Sequence, residues 1–311
     1  MKRIVPYATL VLLFVSVITF LLVKRSTTVP LKFSTKDIPN HNLVIVTPSD
    51  SEFAQLRTKL TGKTATEELD LPYVFVKNMD QKRRVIAYTL KWSIPQANGQ
   101  VITRTRSVCR EDLLAGREGV VGADDLTLYP QTARLFSVSG FADGDEVSLT
   151  GDARVVNKNA EAVSNIVKTG VPARINEQLN NTHSIAVSID SALFDDGDFV
   201  GPNTTKHLER IEAQIQAKRK IMREVFQRLK GKETYSAVMK SLIERHEKLS
   251  KLEMGPSPEP DIEEIQRRSD KRYLDQILEM QRGFGSDELA LRQFLWTNHK
   301  DRYLAIRKVD Y

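Results

Sequence analysis

Cysteine is almost absent. Cys109 stands alone among 311 residues, which excludes an intrachain disulfide and every thiolate metal cluster. Histidine is scarce too: His41, His183, His207, His246 and His299 include no i, i+4 pair, and no H-E-x-x-H occurs, so no helical zinc pair is encoded. There is no G-x-S-x-G nucleophile elbow. Gly62-Lys63-Thr64 resembles the end of a phosphate-binding loop, but Arg57 stands where the pattern needs glycine, and a helical pattern rather than a strand precedes it. In GREGVVG, Gly116 to Gly122, the glycines fall every third residue, which suits a loop and not a dinucleotide fingerprint. Long apolar runs are lacking as well, with one exception at the N-terminus.

That exception is Ile4 to Val23, 20 residues without a charge. As a helix rising 1.5 Å per residue it spans about 30 Å, the thickness of a bilayer core. Lys2 and Arg3 precede it, Lys24 and Arg25 follow it, and no small-residue cleavage site closes it, so residues 1–25 read as an uncleaved, single-pass signal anchor. Basic residues on both flanks, with Lys32 and Lys36 beyond, lean by strict count toward a cytoplasmic body. A lone N-terminal anchor ahead of a β-rich domain suits an extracytoplasmic body on the plasma (inner) membrane, and that is the expectation adopted. The formal charge of +6 with a pI near 9.2 permits attraction to anionic surfaces without requiring it.

Behind the anchor the fold class is expected to be α+β: a polar stalk over 26–40, an immunoglobulin-like β-sandwich over 41–202, and a helical bundle or pair of helical hairpins over 203–311. Leu43 to Thr47 is a first strand, and Ser49 with Glu52 forms a capping box before Phe53, Leu56 and Leu60 at helical spacing. From Leu71 the period becomes two. In Arg84 to Ile94, Ile86, Tyr88, Leu90, Trp92 and Ile94 share one face of a half-buried strand. NMDQ (78–81) turns the preceding PYVFVK into it, and Asn98-Gly99 turns it into Val101 to Val108, since both turn residues tolerate positive φ. Further strands are expected at Ala133–Ser139, Glu146–Thr150, Ala153–Asn157 and His183–Asp190. The segment from Ala160 to Asn181 carries no assignable pattern.

The stretch SIDSALFDDGDFVGPNTT, Ser188 to Thr205, packs three carboxylates around one glycine. Read as a two-residue hairpin at Asp196-Gly197, it sets Phe194 opposite Phe199, Leu193 opposite Val200, and Asp195 opposite Asp198. Two opposed aspartates repel, and a weak calcium ion on Asp195, Asp196 and Asp198 is the alternative to a purely structural turn. The spacing lacks the pattern and the closing glutamate of a calcium loop, and no other cofactor is indicated. Gly201-Pro202 then breaks the strand, with Asn203 or Thr204 capping the next helix.

After Thr205 the period is helical. Lys206–Lys230, Tyr235–Leu252 and a third segment carrying Ile262, Ile265, Tyr273, Ile277 and Met280 read as helices, with GPSPEP (255–260) as a linker. A fourth, capped by Ser286, carries Leu289, Phe294 and Leu295. Lys218, Arg219, Lys220 and Arg223 crowd the first helix. They form either a solvated face or a surface for phosphates, anionic lipid or protein, and no nucleic-acid module accompanies them.

VKN, AYTLKW, the NG hairpin and DDGDFVGPNT together resemble a pattern in uncharacterised bacterial envelope proteins with an N-terminal anchor and a β-domain. The resemblance spans about Tyr73 to Asn203 and implies an envelope location; it brings no activity and no catalytic residue. The functional expectation is a membrane-anchored, extracytoplasmic binding or scaffolding protein with a protein or envelope partner and no catalytic residue assigned. The alternatives are a hydrolase-type site assembled from distant residues, and a cytoplasmic-facing module binding polyanions through the basic helix.

Overall fold

The computed structural model of the protein describes residues 31–61, 72–114, 127–138, 146–148, 179, 182–252, 261–284, 289, 292–293 and 303–310. The apolar run Ile4–Val23, the strand expected at 153–157, most of the segment 160–181 and the Ser286 cap lie outside these residues. Among the described residues no helix is long and apolar enough to cross a membrane.

The protein is α+β, with mixed sheets. One sheet is built on β8 (Ser184–Phe194), flanked on one side by β4 (Val85–Pro95) and then β5 (Val101–Cys109). The other edge of β8 is shared. β1 (Lys32–Lys36) runs parallel to its first half, and β9 (Asp198–Val200) pairs antiparallel with its end. β10 (Arg307–Lys308) adds to β9 in parallel. The second sheet has the order β2 (Leu43–Val46), β3 (Tyr73–Asn78), β6 (Thr132–Ser137), β7 (Glu146–Ser148), all antiparallel. Residues 32–36, expected to belong to a stalk, are therefore part of the sheet, and Pro39–His41 forms a 3-10 turn. An extended segment has backbone donors and acceptors to satisfy, and the free edge of β8 offers partners for them.

The two sheets face each other across one core. Tyr88 on β4 meets Phe136 on β6 edge-on, with ring centroids 5.8 Å apart, and Leu90, Trp92 and Ile94 join Ile185, Val187 and Ile189 in the same cluster. β3 is buried along its whole length because its other face is covered too. Helix α1 (Ser51–Thr61) lies there, its Phe53 ring 5.2 Å from that of Phe75. Glu52 does not close the expected capping box; its carboxylate accepts from Lys77 Nζ at 2.6 Å. NMDQ likewise does not close a hairpin: β3 and β4 belong to different sheets, so the chain crosses between layers there.

On the outer face of the first sheet lie the short α2 (Glu111–Leu114) and the long α3 (His207–Lys230). Ile211 and Ile215 of α3 pack on Leu193, Phe199 and Ala87, and on Ile86, which the alternation had placed with Tyr88. A bulge between Val85 and Ala87 shifts the register and turns Ile86 outward, leaving Val85 on the inner side. Beyond the sheet, Ile221, Met222 and Val225 of α3 pack against α4 (Tyr235–Lys251) and α5 (Ile262–Phe284). One helix thus serves both cores, across the expected boundary at 202/203. The C-terminal residues return to the sheet as β10 and do not extend the bundle.

Both hairpins of this sheet use one turn. In Gln96–Gln100 the Gly99 N–H donates to Gln96 O at 2.9 Å, and Asn98 Oδ1 accepts from Gln100 N at 3.0 Å. In Phe194–Asp198 the Gly197 N–H donates to Phe194 O at 3.0 Å, and Asp196 Oδ1 accepts from Asp198 N at 3.1 Å. Only the glycines take positive φ, +81° and +95°. Each loop therefore holds three residues and not two, a type I turn closed by a left-handed glycine. The register expected from a two-residue loop is corrected by one: Leu193 opposes Phe199 and Ala192 opposes Val200. Asp195 no longer faces Asp198.

The two glycines differ in surroundings. A Cβ on Gly99 would meet nothing within 4 Å, whereas one on Gly197 would sit 2.2 Å from Ala305 O. Gly99→Ala is expected to lose about 1 kcal/mol from backbone strain alone. Gly197→Ala is expected to lose more than that and to release β10, seen in urea titration together with faster amide exchange at Arg307 and Val309, which donate to Gly197 O and Phe199 O.

Candidate functional site

The acidic turn is held by arginines. Asp195 Oδ2 accepts from Arg84 Nε at 2.8 Å, and its Oδ1 from Arg84 N at 3.1 Å. Asp198 lies 2.6 Å from Arg307 Nη2 and 3.5 Å from Arg83 Nη1, and Asp196 is 3.7 Å from the same Arg83 nitrogen. Arg83 also bonds Asp80 at 2.8 Å and rests over the Phe194 ring, 4.2 Å from its centroid. Burial alone would raise the Asp80 carboxyl, but the backbone N–H groups of Arg83 and Lys82 and the Arg83 side chain bring it down to about 2. Asp195, Asp196 and Asp198, the calcium alternative, thus have cationic partners from two chain segments, Arg83-Arg84 and Arg307. Among the described residues no group of three or more His, Cys, Asp or Glu is arranged to hold a metal ion.

A second polar cluster was not singled out in the sequence. β8 carries a bulge: Thr89 pairs with Ser191 and Leu90 with Ile189, so Asp190 is the extra residue. Its carboxylate receives the N–H and hydroxyl of both Thr204 and Thr205, the two N–H bonds at 3.0 Å. Its carbonyl accepts from Asn203 N at 2.9 Å. Burial raises the Asp190 carboxyl, and these hydroxyls and amides outweigh it, so the group is held below its ordinary value. Neither Asn203 nor Thr204 is the N-cap of α3: that position is Lys206, in left-handed backbone and without a side-chain cap. Asn203 Oδ1 reaches forward from the loop and accepts from Leu208 N at 3.0 Å, satisfying one N–H of the first turn. The loop is tight as well, since a Cβ on Gly201, at φ +102°, would lie 2.6 Å from Asp190 O.

Beside Asp190, Ser191 Oγ and His207 Nδ1 share a hydrogen bond of 2.9 Å. Serine, histidine and aspartate side by side suggest a nucleophile, but Ser191 is 0% and His207 3% exposed, and both Asp190 oxygens are occupied. No substrate reaches the hydroxyl. Burial drives the His207 imidazole down to about 4, helped by Arg210 and opposed by Asp190, so the ring is neutral at pH 7. The pair pins the start of α3 to β8.

The basic residues of α3 divide. Lys218 is buried, its Nζ 5.5 Å from the Tyr273 ring centroid and 5.9 Å from that of Tyr303, so it belongs neither to a solvated face nor to an exposed binding surface with its neighbours. Arg219 stacks on Tyr303 at 4.8 Å. Arg219, Lys220 and Arg223 are exposed and line an open groove of about 310 Å³ with Gln216, Glu224 and Gln227. Glu224, the acid in this groove, is 3.2 Å from Nη1 of Arg245, whose Nη2 donates to Asp270. Lys220 and Arg223 have no ion-pair partner among the described residues. The groove therefore presents surplus positive charge on a helix fixed at both ends.

No protein-family model, curated protein or solved structure matches the chain.

Two outcomes test the buried cluster. Below the unfolded histidine's pKa of about 6.5 the unfolded chain takes up a proton that folded His207 refuses until pH about 4. Stability should therefore fall as pH drops through that window, by roughly 3 kcal/mol in all. Urea unfolding at pH 7.0 and 4.5 measures the drop, and His207→Gln should flatten it. Asp190→Ala removes the charged acceptor of four hydrogen bonds from Thr204 and Thr205 and should cost roughly 2–4 kcal/mol at pH 7, read by the same titration.

Proposed function

We propose that the protein is a single-pass component of the plasma (inner) membrane whose extracytoplasmic body is a binding or scaffolding module, with the α3 groove as its contact surface for an anionic partner. The observation that carries this reading is the groove itself: three exposed cations, an acid already paired to Arg245, and a rigid supporting helix. The uncharged run Ile4–Val23 supports the anchor, and the two facing sheets support the sandwich half of the immunoglobulin-like reading. The covering helices and the parallel β1 and β10 are additions to such a sandwich. The hydrolase alternative gains nothing from Ser191 and His207, which are sealed.

Exposed charge pairs are weak singly and are screened by salt, so recognition by this groove should be salt-dependent. The full chain in detergent is expected to retain a fluorescent poly-glutamate probe at low ionic strength and to release it at 0.5 M NaCl. Lys220→Glu with Arg223→Glu should weaken retention at least tenfold without lowering the melting temperature. Binding indifferent to both changes would dismiss the groove. Digestion of a C-terminal tag by protease added outside an intact plasma membrane is expected for the topology; protection would move the body to the cytoplasm.

A further inference from the structure

The strand directions give the molecule a near and a far end relative to its anchor. Eight residues separate Val23 from Lys32, where β1 begins. Their reach is at most about 32 Å. Lys32 pairs with Ser184, at the start of β8. β4 runs antiparallel to β8, with Ser93 opposite Ala186, which brings Pro95 level with Ser184 and hence with Lys32. The Gln96–Gln100 loop projects beyond that level by about 7 Å, back toward the side from which the chain enters the sheet.

The other hairpin lies at the opposite end. β8 runs ten residue steps from Ser184 to Phe194, about 33 Å, before the Asp195–Gly197 turn. Helix α3 continues in the same direction. His207 bonds Ser191, Ile211 and Ile215 sit with Leu193 and Phe199, and Arg219 stacks on Tyr303, two residues before the Ala305 carbonyl that covers Gly197. The helical bundle and the α3 groove are therefore at the far end.

The two turns share one backbone geometry and carry opposite chemistry. From Trp92 to Thr103 there is no charge, and Ala97–Gln100 are exposed, with Val101 58% exposed beside them. The far turn carries Asp195, Asp196 and Asp198. Arg83, Arg84 and Arg307 pair with these carboxylates, but counting Asp80 four acids meet three arginines and the far turn stays net acidic. Net negative charge is repelled by the potential of an anionic leaflet, and a network of paired charges is costly to desolvate there, whereas amides and a valine suit its interfacial zone. We propose that the Pro95–Val101 hairpin end rests on the headgroups of the anchoring bilayer, so that the lipid surface is a contact partner of this hairpin and the α3 groove faces away from it. This rests on the reading of Ile4–Val23 as the anchor.

The test uses the full chain with Cys109→Ser, carrying either Asn98→Cys or Asp196→Cys labelled with an environment-sensitive fluorophore, in vesicles of phosphatidylethanolamine and phosphatidylglycerol. Flotation comes first. A chain that stays in the aqueous fraction overturns the anchor and the proposal together. In floated protein, a headgroup spin label is expected to quench the probe at position 98 at least threefold more than the probe at 196. Equal quenching, or stronger quenching at 196, overturns the orientation while leaving the anchor standing. Should Cys109→Ser unfold the chain, hydrogen exchange of the unaltered protein decides: vesicles should slow exchange at residues 96–101 relative to detergent and leave 195–197 unchanged, and the reverse would refute the contact.

Discussion

Four donors converge on one buried carboxylate, and much of the architecture depends on that convergence. Asp190 is the extra residue of a β-bulge, and bulges re-aim the side chain they expose. Here the re-aimed group gathers Thr204 and Thr205 and fixes the loop that carries the chain from β9 into α3. While the threonines are engaged there, Asn203 reaches forward to the Leu208 N–H of the first turn, and the helix arrives with His207 against Ser191. An isolated buried carboxylate would be costly, whereas one accepting four hydrogen bonds specifies a unique path for the backbone around it.

The sheet-helix junction then passes order outward. α3 places Ile211 and Ile215 on the sheet and Ile221, Met222 and Val225 in the bundle, so its two halves belong to different cores without a break between them. Such a helix couples the two bodies: neither core can loosen much without disturbing the register of the other. It also explains why the exposed face of α3 holds its cations in a fixed array. Arg219 is held against Tyr303, and Glu224 is drawn toward Arg245. The remaining charges stand on a helix with little freedom to tilt.

Periodicity made most of the elements legible. β2, β4, β5, β6 and β8 and the three long helices fall where alternation or helical spacing placed them, because burial on one face is what those periods report. What local pattern could not show was the third dimension of each choice. The alternation of Arg84–Ile94 is real, but a bulge turns Ile86 to the opposite face, and no residue type announces a bulge. Asp196-Gly197 and Asn98-Gly99 announce turns, yet a glycine that closes a three-residue loop reads the same as one within a two-residue loop. Residues 32–36 look like linker because strand β1 is exposed on most positions; backbone pairing to β8 holds it, with Phe33 alone of its side chains packed against the core. Of the basic set on α3, Arg219, Lys220 and Arg223 do share a groove, while Lys218 points between two tyrosines, one of which lies 85 residues away in sequence. The Ser191–His207 pair could have been suspected only by aligning the end of a strand with the start of a helix across a loop of unknown shape.

The return of the chain as β10 has a consequence for the order of folding. β9 is short and takes its second neighbour from residues 307–308, after the entire helical region has been made. Until then its outer edge offers unpaired backbone groups, the kind of edge that invites pairing with other chains. In a polypeptide made from its N-terminus, the sheet must wait with that edge open while the bundle folds. During that interval Asp80, Asp195, Asp196 and Asp198 outnumber Arg83 and Arg84 around the neighbouring turn, so like copies repel through the excess acid, and Arg307 arrives on Asp198 as the closing strand docks.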